Sequence, residues 1–316
     1  MRGKIYLTLF ATLSIAGYFS RFGYWFDLTT HFQPQYLVGL LLCAAMGAWR
    51  KRWKIVLAAL LCAMIPGSRI LPLYLPLTRT AHAGPATTFT ILLVNIKAEN
   101  AQYQKLRNYI IKTDPDILAL EEIDQTWNSQ LEDVLKTFPF AIHEFREDNF
   151  GIGLYSKLPL DDLKIERFSA VPSVSGNLTI NGQPVTLLLT HPIPPTRYSS
   201  FDIRNSHYEN MAKKRPEYHD NLVLIGDMNS SSWSHFFRKL AKDMGLRDSR
   251  NGFGLQLSWP TMTELLLTTI DHCLVSQNIV VYDRRIGDDI GSDHYPVFLE
   301  LAVPDNPASD SAANDD

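Results

Sequence analysis

With 316 residues and 46% apolar side chains, the chain can bury a large core and still carry an appendage. Its formal net charge of −3 conceals an asymmetry: residues 1–86 hold nine Lys or Arg and one acid, Asp27, whereas the rest hold 21 basic and 32 acidic side chains, a net charge of −11. That split excludes a uniformly basic nucleic-acid binder. Three cysteines, of which Cys43 and Cys62 sit in apolar runs and Cys273 stands alone, exclude a disulfide framework and a thiolate metal site in the second part.

The chain begins with three apolar runs: IYLTLFATLSIAGYF from Ile5, QYLVGLLLCAAMGAW, and IVLAALLCAMI. Each uncharged core is shorter than the ~20 residues of a spanning helix. Three in succession, with aromatic edges and cations between them, predict a membrane region over residues 1–76 with about three transmembrane helices; two spans or a soluble helical hairpin are the alternatives. The basic MRGK start and the RKRWK loop belong on the cytoplasmic side, so a third span carries the rest of the chain across. The expectation is a multi-pass protein of the cell (inner) membrane with an extracytoplasmic domain, periplasmic in a Gram-negative cell. Residues 77–86 read as a linker, in which AHAG at 81–84 has the small-x-small look of a signal peptidase site.

From residue 87 to 303 strands and helices alternate. TFTILLV is a β-branched strand, and AQYQKLRNYIIKT is a helix with Tyr103, Leu106 and Ile110 on one face, stopped before Asp114-Pro115. DILALEE is a strand with Leu118, Leu120 and Glu122 on one side of the pleat and Ile117, Ala119 and Glu121 on the other. GIGLYS follows, then NLTI and PVTLLLT around Asn181-Gly182, a hairpin signal. LVLIG, IDHCLV and PVFLELAV are nearly all apolar and so buried on both faces. Residues 198–214 and 233–244 are predicted helices. Strands in both βαβ and hairpin arrangements predict an α/β fold of two packed sheets with helices outside. Residues 304–316 read as a disordered acidic tail.

Polar residues recur where these strands end. Asn95 ends TILLV, Glu122 ends DILALEE, His191 ends PVTLLLT, Asp227 and Asn229 follow LVLIG, Asp271 and His272 open IDHCLV, and Asp293 and His294 precede PVFLEL. A single polar strand end needs no function, because turns are polar. Six in one domain predict a shared cleft, since strands side by side bring their ends together.

TILLVN, PDILALEE, the TH at 190 and 191, IGDMN, IDH and SDHYP, in this order, resemble the signature of the endonuclease/exonuclease/phosphatase superfamily, the DNase I-like fold, over about residues 88 to 303. NFGIGLYSKLPL and SWP at 258–260 fit the same pattern, and the apolar spans with the HPIPP run resemble bacterial membrane-anchored members. The resemblance implies a four-layer sandwich of two β-sheets flanked by helices, and a hydrolase of phosphate esters dependent on Mg²⁺, with Mn²⁺ as a substitute. It places the metal on Glu122 with Asn95 and Asp293 nearby, a sparse set suited to Mg²⁺, which retains water and substrate phosphate as ligands. It makes Asp271 and His294 a dyad, water the nucleophile near Asp227 or His294, Asn229 and Asn95 orienting groups, and His191 a proton donor or phosphate ligand. The TH pattern resembles the deoxyribonuclease, sphingomyelinase and phosphoinositide phosphatase branches. Glu121 departs from the Gln of many relatives, so either acid of the pair could be the ligand; Glu122 is preferred. His272 reads as structural, and His143, His207, His219 and His235 as ordinary surface or helix residues.

The expected activity is phosphodiester hydrolysis by in-line water attack at a lipid bilayer, with a phospholipid or small phosphodiester favoured and nucleic acid second. An extracytoplasmic nuclease is the alternative; Arg197, Arg204 and KKRPEY at 213–218 are its candidate basic patch. An inactive membrane-tethered binding module is the reading from another class. No GxSxG, GxxxxGK[ST] or HExxH motif supports a serine hydrolase, nucleotide-binding or zinc protease reading.

Overall fold

The computed structural model describes residues 2–75 and 87–304. The expected linker, its AHAG stretch and the acidic tail from 305 onward lie outside the described residues. At the N-terminus, α1 (Arg2–Ala16), α2 (Tyr24–Leu28), α3 (Gln33–Trp49) and α4 (Trp53–Ile70) follow one another; α3 packs on both α1 and α4, and α2 lies in the connection before α3. The interior they share is small, built from Cys43, Ala44 and Ala59 against Leu7, Phe10 and Val56. The outward faces carry Leu42, Leu57, Leu61 and Met64, all more than half exposed. Two stretches, Gly3–Phe22 and Trp53–Leu73, are long and apolar enough to cross a membrane, whereas α3 has 17 residues.

Among the described residues of the second part, twelve strands form two six-stranded mixed sheets. The first takes β1 (Thr88–Asn95), β2 (Ile117–Glu121), β3 (Phe140–Glu144) and β4 (Ile152–Ser156). The second takes β5 (Asp161–Arg167), β6 (Pro172–Ile180), β7 (Gln183–Thr190), β8 (Asn221–Asp227), β9 (Leu246–Asp248) and β10 (Asp271–Ser276). The chain then returns to the first sheet with β11 (Val280–Ile286) and β12 (Val297–Ala302), giving the orders β11-β12-β1-β2-β4-β3 and β5-β6-β7-β8-β10-β9. Alternate residues of β1 serve two cores: Ile91 and Leu93 pack between the sheets, while Leu92 and Val94 pack outward against Leu106 and Ile110 of α5 (Tyr103–Thr113). The outer face of the first sheet also carries α6 (Gln125–Gln130) and α7 (Glu132–Leu135); α8 (Tyr198–Lys213) and α9 (His235–Asp243) cover the second through Met211, Tyr208, Phe237 and Leu240. This is the expected four-layer sandwich. Each fully buried aliphatic side chain contributes ~1.5–3 kcal/mol to it.

Local signals locate the turns. Asn181 (φ 51°) and Gly182 (φ 70°) form the two-residue loop between β6 and β7, with Ile180 paired to Gln183, as a type I′ hairpin requires. The helical region docks on this domain through Ile70 and Leu73 against Trp233, and the Leu73 carbonyl accepts from the N–H groups of Gly252 and Gly254, both at 2.9 Å.

Candidate active site

The topology gathers the polar strand ends at one edge. β1 and β2 run parallel, as do β7 and β8, so Asn95, Glu122, His191 and Asp227 leave their strands on the same side. β12 is antiparallel to β1 and β10 to β8, so the residues opening those strands, His294 and Asp271, arrive at that side as well. The result is a cleft of about 800 Å³ lined by Glu122, His191, Asp227, Asn229, Asp293 and His294, together with apolar side chains including Phe150 and Trp259. Asn95 and Asp271 stand directly behind these residues. All eight residues singled out in the sequence therefore converge.

Glu121 and Glu122 part company at the end of β2. Glu121 keeps the strand's alternation, is fully buried between the sheets, and accepts the Asp227 N–H on both oxygens at 3.0 and 3.1 Å. Glu122 adopts φ 60°, which turns its carboxylate into the cleft, where Asn95 Nδ2 donates to it at 2.9 Å. A left-handed glutamate is strained, and Asn229 (φ 49°) and Lys97 (φ 57°) share the condition beside it, a concentration typical of functional sites. Asn95 Nδ2 also reaches Asp227 at 3.4 Å, and its oxygen accepts the Lys97 N–H. Gly226 is required by the same crowding: a Cβ there would lie 2.0 Å from the Thr190 carbonyl oxygen and 2.7 Å from Glu121 Oε1.

His294 Nδ1 lies 3.0 and 3.1 Å from the two carboxylate oxygens of Asp271. Its Nε2 is 3.7 Å from Asp227 Oδ2, and His191 Nε2 is 3.5 Å from the same oxygen. Burial alone would push the His294 imidazole down, but the carboxylates of Asp271, Asp227 and Asp293 reverse this and raise it to about 9. Burial lifts the Asp227 carboxyl to about 8 against the pull of His294, with Asp271 adding to the rise. Burial, and then the neighbouring His294, hold His191 down at about 3, so it is a neutral ring at neutral pH. Its Nδ1 is buried without a hydrogen-bond partner among the described residues.

Four carboxylates, Glu122, Asp227, Asp271 and Asp293, crowd this end of the cleft, and Lys97 approaches Asp293 at 3.8 Å. Desolvation raises the Glu122 carboxyl, against the pull of the hydrogen bonds from Asn95 and the Ala98 N–H. This donor set fits a hard divalent cation bound by oxygen. Asp227, Asp271 and His294 place one possible ligand atom each within 4.8 Å of one another. Asp271 and His294 already hold each other, however, so a cation among them would break the dyad. Glu122 and Asp293, which face the open cleft, could hold a cation without breaking the dyad.

The sequence model of the Endonuclease/Exonuclease/phosphatase family matches residues 92–294. The chain belongs to this family. Its members are hydrolases of phosphate esters. No curated protein sequence matches the chain. Among solved structures, the family protein from Bacteroides thetaiotaomicron is 17% identical with a TM-score of 0.58, covering 69% of this chain and 99% of that one. Humanized D. rerio TDP2 is 14% identical (TM-score 0.56), covering 68% and 98%. The 3′ phosphatase NExo from Neisseria, bound to a product DNA hairpin, is 19% identical (TM-score 0.54), covering 67% and 98%.

Two sequence expectations need correction. His207 is not an ordinary helix residue: it is fully buried, with Nε2 2.8 Å from Thr190 Oγ1 and Nδ1 2.9 Å from Ser169 Oγ, behind the His191 turn. The candidate basic patch loses two members, because Arg204 is buried against Asp27 at 2.8 Å and Lys214 pairs with Glu166 at 2.8 Å. Both partners lie far off in sequence, which hid them from local reading. His272 is structural as expected, its Nε2 bonded to the Ser230 carbonyl and its ring against Phe237.

Proposed function

We propose that this chain is a membrane-anchored, divalent-metal-dependent phosphoesterase that cleaves a phosphodiester by in-line attack of water. The observation that carries the reading is the Asp271–His294 dyad facing Asp227 and Glu122 across one cleft. Glu122 and Asp293 would hold Mg²⁺ or Mn²⁺, whose contribution is to neutralise charge on the phosphoryl oxygens and acidify water. Asn95 keeps Glu122 and Asp227 aligned. Asp227 faces the cleft beside His294 and would accept the proton of the attacking water: burial raises its carboxyl above the usual range, and the neighbouring His294 pulls it back towards the anion. His294, cationic through Asp271, stabilises the negative charge that builds on phosphorus and its oxygens. His191 stays neutral and offers a hydrogen bond to a phosphoryl oxygen, so it is a ligand of the phosphate and not the acid at neutral pH. Asn229, bonded to the Pro192 carbonyl at 3.0 Å, completes the cradle.

The membrane part of the proposal rests on the lipid-facing character of the N-terminal helices. α1 begins where α3 and α4 are joined, so Lys4 shares one end of the bundle with Arg50, Lys51, Arg52 and Lys54, while the catalytic domain docks at the other end. This arrangement supports a cytoplasmic basic end and an extracytoplasmic, multi-pass orientation.

The deciding experiment is hydrolysis of bis-p-nitrophenyl phosphate and p-nitrophenyl phosphate by the full chain in detergent, with Mg²⁺, Mn²⁺ or EDTA, beside His294→Ala and Glu122→Ala. Metal-dependent turnover of the diester that both substitutions abolish is expected. A folded protein with no turnover of either ester would refute the reading in favour of a binding module, and release of acid-soluble nucleotides from DNA as the best activity would favour a nuclease.

A further inference from the structure

The stretch from the end of the first apolar run towards the second, GYFSRFGYWFDLTTHF at residues 17–32, holds the one acid of residues 1–86, Asp27. Asp27 is buried against the equally buried Arg204 of α8, Nη2 to Oδ2 at 2.8 Å, and accepts the Ser234 hydroxyl on its other oxygen at 2.5 Å. Arg204 also donates through Nη1 to the Asn229 carbonyl at 3.1 Å, so the same guanidinium touches a residue of the cleft. Thr30 takes a hydrogen bond from Ser231 at 2.9 Å, and Thr268 donates to the His31 carbonyl at 2.8 Å. An ion pair this deeply desolvated is a poor way to gain stability, but a good way to fix one segment in one place.

What it fixes is a wall. Tyr24, Leu28 and Phe32 line the same cleft as Glu122, Asp227 and His294. The cleft therefore combines carboxylates and imidazoles with apolar side chains, and its N-terminal wall, which also carries His31, begins two residues after the candidate span Gly3–Phe22. Trp25, Met262 and Leu265 are each at least three-quarters exposed; Met262 and Leu265 belong to the loop anchored to α3 by the Gln35–Leu267 bond of 2.7 Å. Exposed apolar side chains thus occur both on segments that adjoin the cleft lining and on the helices that would sit in a bilayer.

We propose that residues 24–32 are a substrate-binding wall, positioned by the Asp27–Arg204 pair, that selects a phosphodiester carrying a hydrocarbon chain: a membrane lipid whose headgroup linkage reaches Asp227 and His294 while its chain lies on Tyr24, Leu28 and Phe32. The inference rests on the phosphoesterase reading and goes beyond it in committing to a lipid over a small diester or nucleic acid and in naming the residues that make the choice. The N-terminal region is then part of the site as well as an anchor.

The test uses the full chain in detergent with Mg²⁺ and two diesters with one leaving group, dodecyl p-nitrophenyl phosphate and ethyl p-nitrophenyl phosphate. The dodecyl ester should exceed the ethyl ester in kcat/KM by at least about tenfold, the scale on which apolar pockets discriminate. Leu28→Ser and Phe32→Ser should bring that ratio close to one, whereas general damage to the fold would lower both rates and leave the ratio standing. Equal turnover of the two esters by the unaltered protein, or a ratio untouched by both substitutions, overturns this inference alone. Absence of turnover of either ester removes the phosphoesterase reading, and this inference with it.

Discussion

Acid should destabilise this protein through His207, by an amount the geometry sets. The ring is fully buried, both nitrogens are taken by the Thr190 and Ser169 hydroxyls, and burial holds its pKa down at about 3. In the unfolded chain the same imidazole titrates near ~6.5. Between those values the unfolded state binds the proton and the folded state does not, so stability is complete above pH ~6.5 and is lost as the pH falls towards 3. At pH 5, about one and a half pH units below the unfolded value and at about 1.4 kcal/mol per unit, the loss is about 2 kcal/mol. His272 and His191, also buried and held at about 3, each add a similar amount. Against a total of ~5–15 kcal/mol this is a large fraction, and it corresponds to a fall of several degrees in Tm. Thermal melting of the full chain in detergent, followed by tryptophan fluorescence between pH 7 and 5, measures it. His207→Gln, which can still bond Thr190 but takes up no proton, should be less stable at pH 7 yet lose about 2 kcal/mol less than the unaltered protein on acidification to pH ~5. Melting curves of the two proteins that run parallel across this range would refute the assignment of His207 as a buried neutral imidazole.

Asp271→Asn should reduce diester hydrolysis by roughly 10²–10⁴. Because Asp271 helps hold His294 at about 9, the alkaline limb of its pH–rate profile, where the imidazolium is lost, should also move to lower pH. Glu121→Gln keeps an acceptor for the Asp227 N–H and removes a carboxyl raised well above its usual range by burial and then by Asp227, so activity should hold within about threefold and Tm should stay level or rise. Glu122→Gln should instead cost more than about 100-fold and weaken the response to Mg²⁺ in a titration, since it alters the cleft-facing carboxylate. Gly226→Ala should destabilise by about 3 kcal/mol or more, read by thermal melting, because its Cβ would enter the space of the Thr190 carbonyl at φ 148°.

Strands with two buried faces were legible in the sequence because burial on both sides leaves a largely apolar run: LVLIG in β8, CLV in β10 and VFL in β12 are examples. The strands that escaped are those that bury little. DDLKIER in β5 has a single buried residue, FAIHE in β3 has none, and VVYDRRI in β11 carries a register shift after Val281 that breaks the alternation. The site was legible because each of its residues terminates a strand that could be recognised. The partners of Arg204 and His207 were not, since Asp27 stands 177 positions from Arg204 and the Ser169 and Thr190 hydroxyls carry no pattern of their own. Helix periodicity reports which face is buried, and is silent about what meets a polar group there.

Asp271 opens a strand of one sheet and His294 precedes a strand of the other. The hydrogen bond between them therefore spans the joint between two layers, and Glu121 of the first sheet grips the Asp227 amide of the second across the same joint. Neither layer owns a working half of the chemistry. An internal slip of about an ångström between the layers would leave every strand, helix and core residue in place and still separate base, imidazole and carboxylate, so catalysis in this molecule is a sensitive gauge of how its two halves are seated on one another.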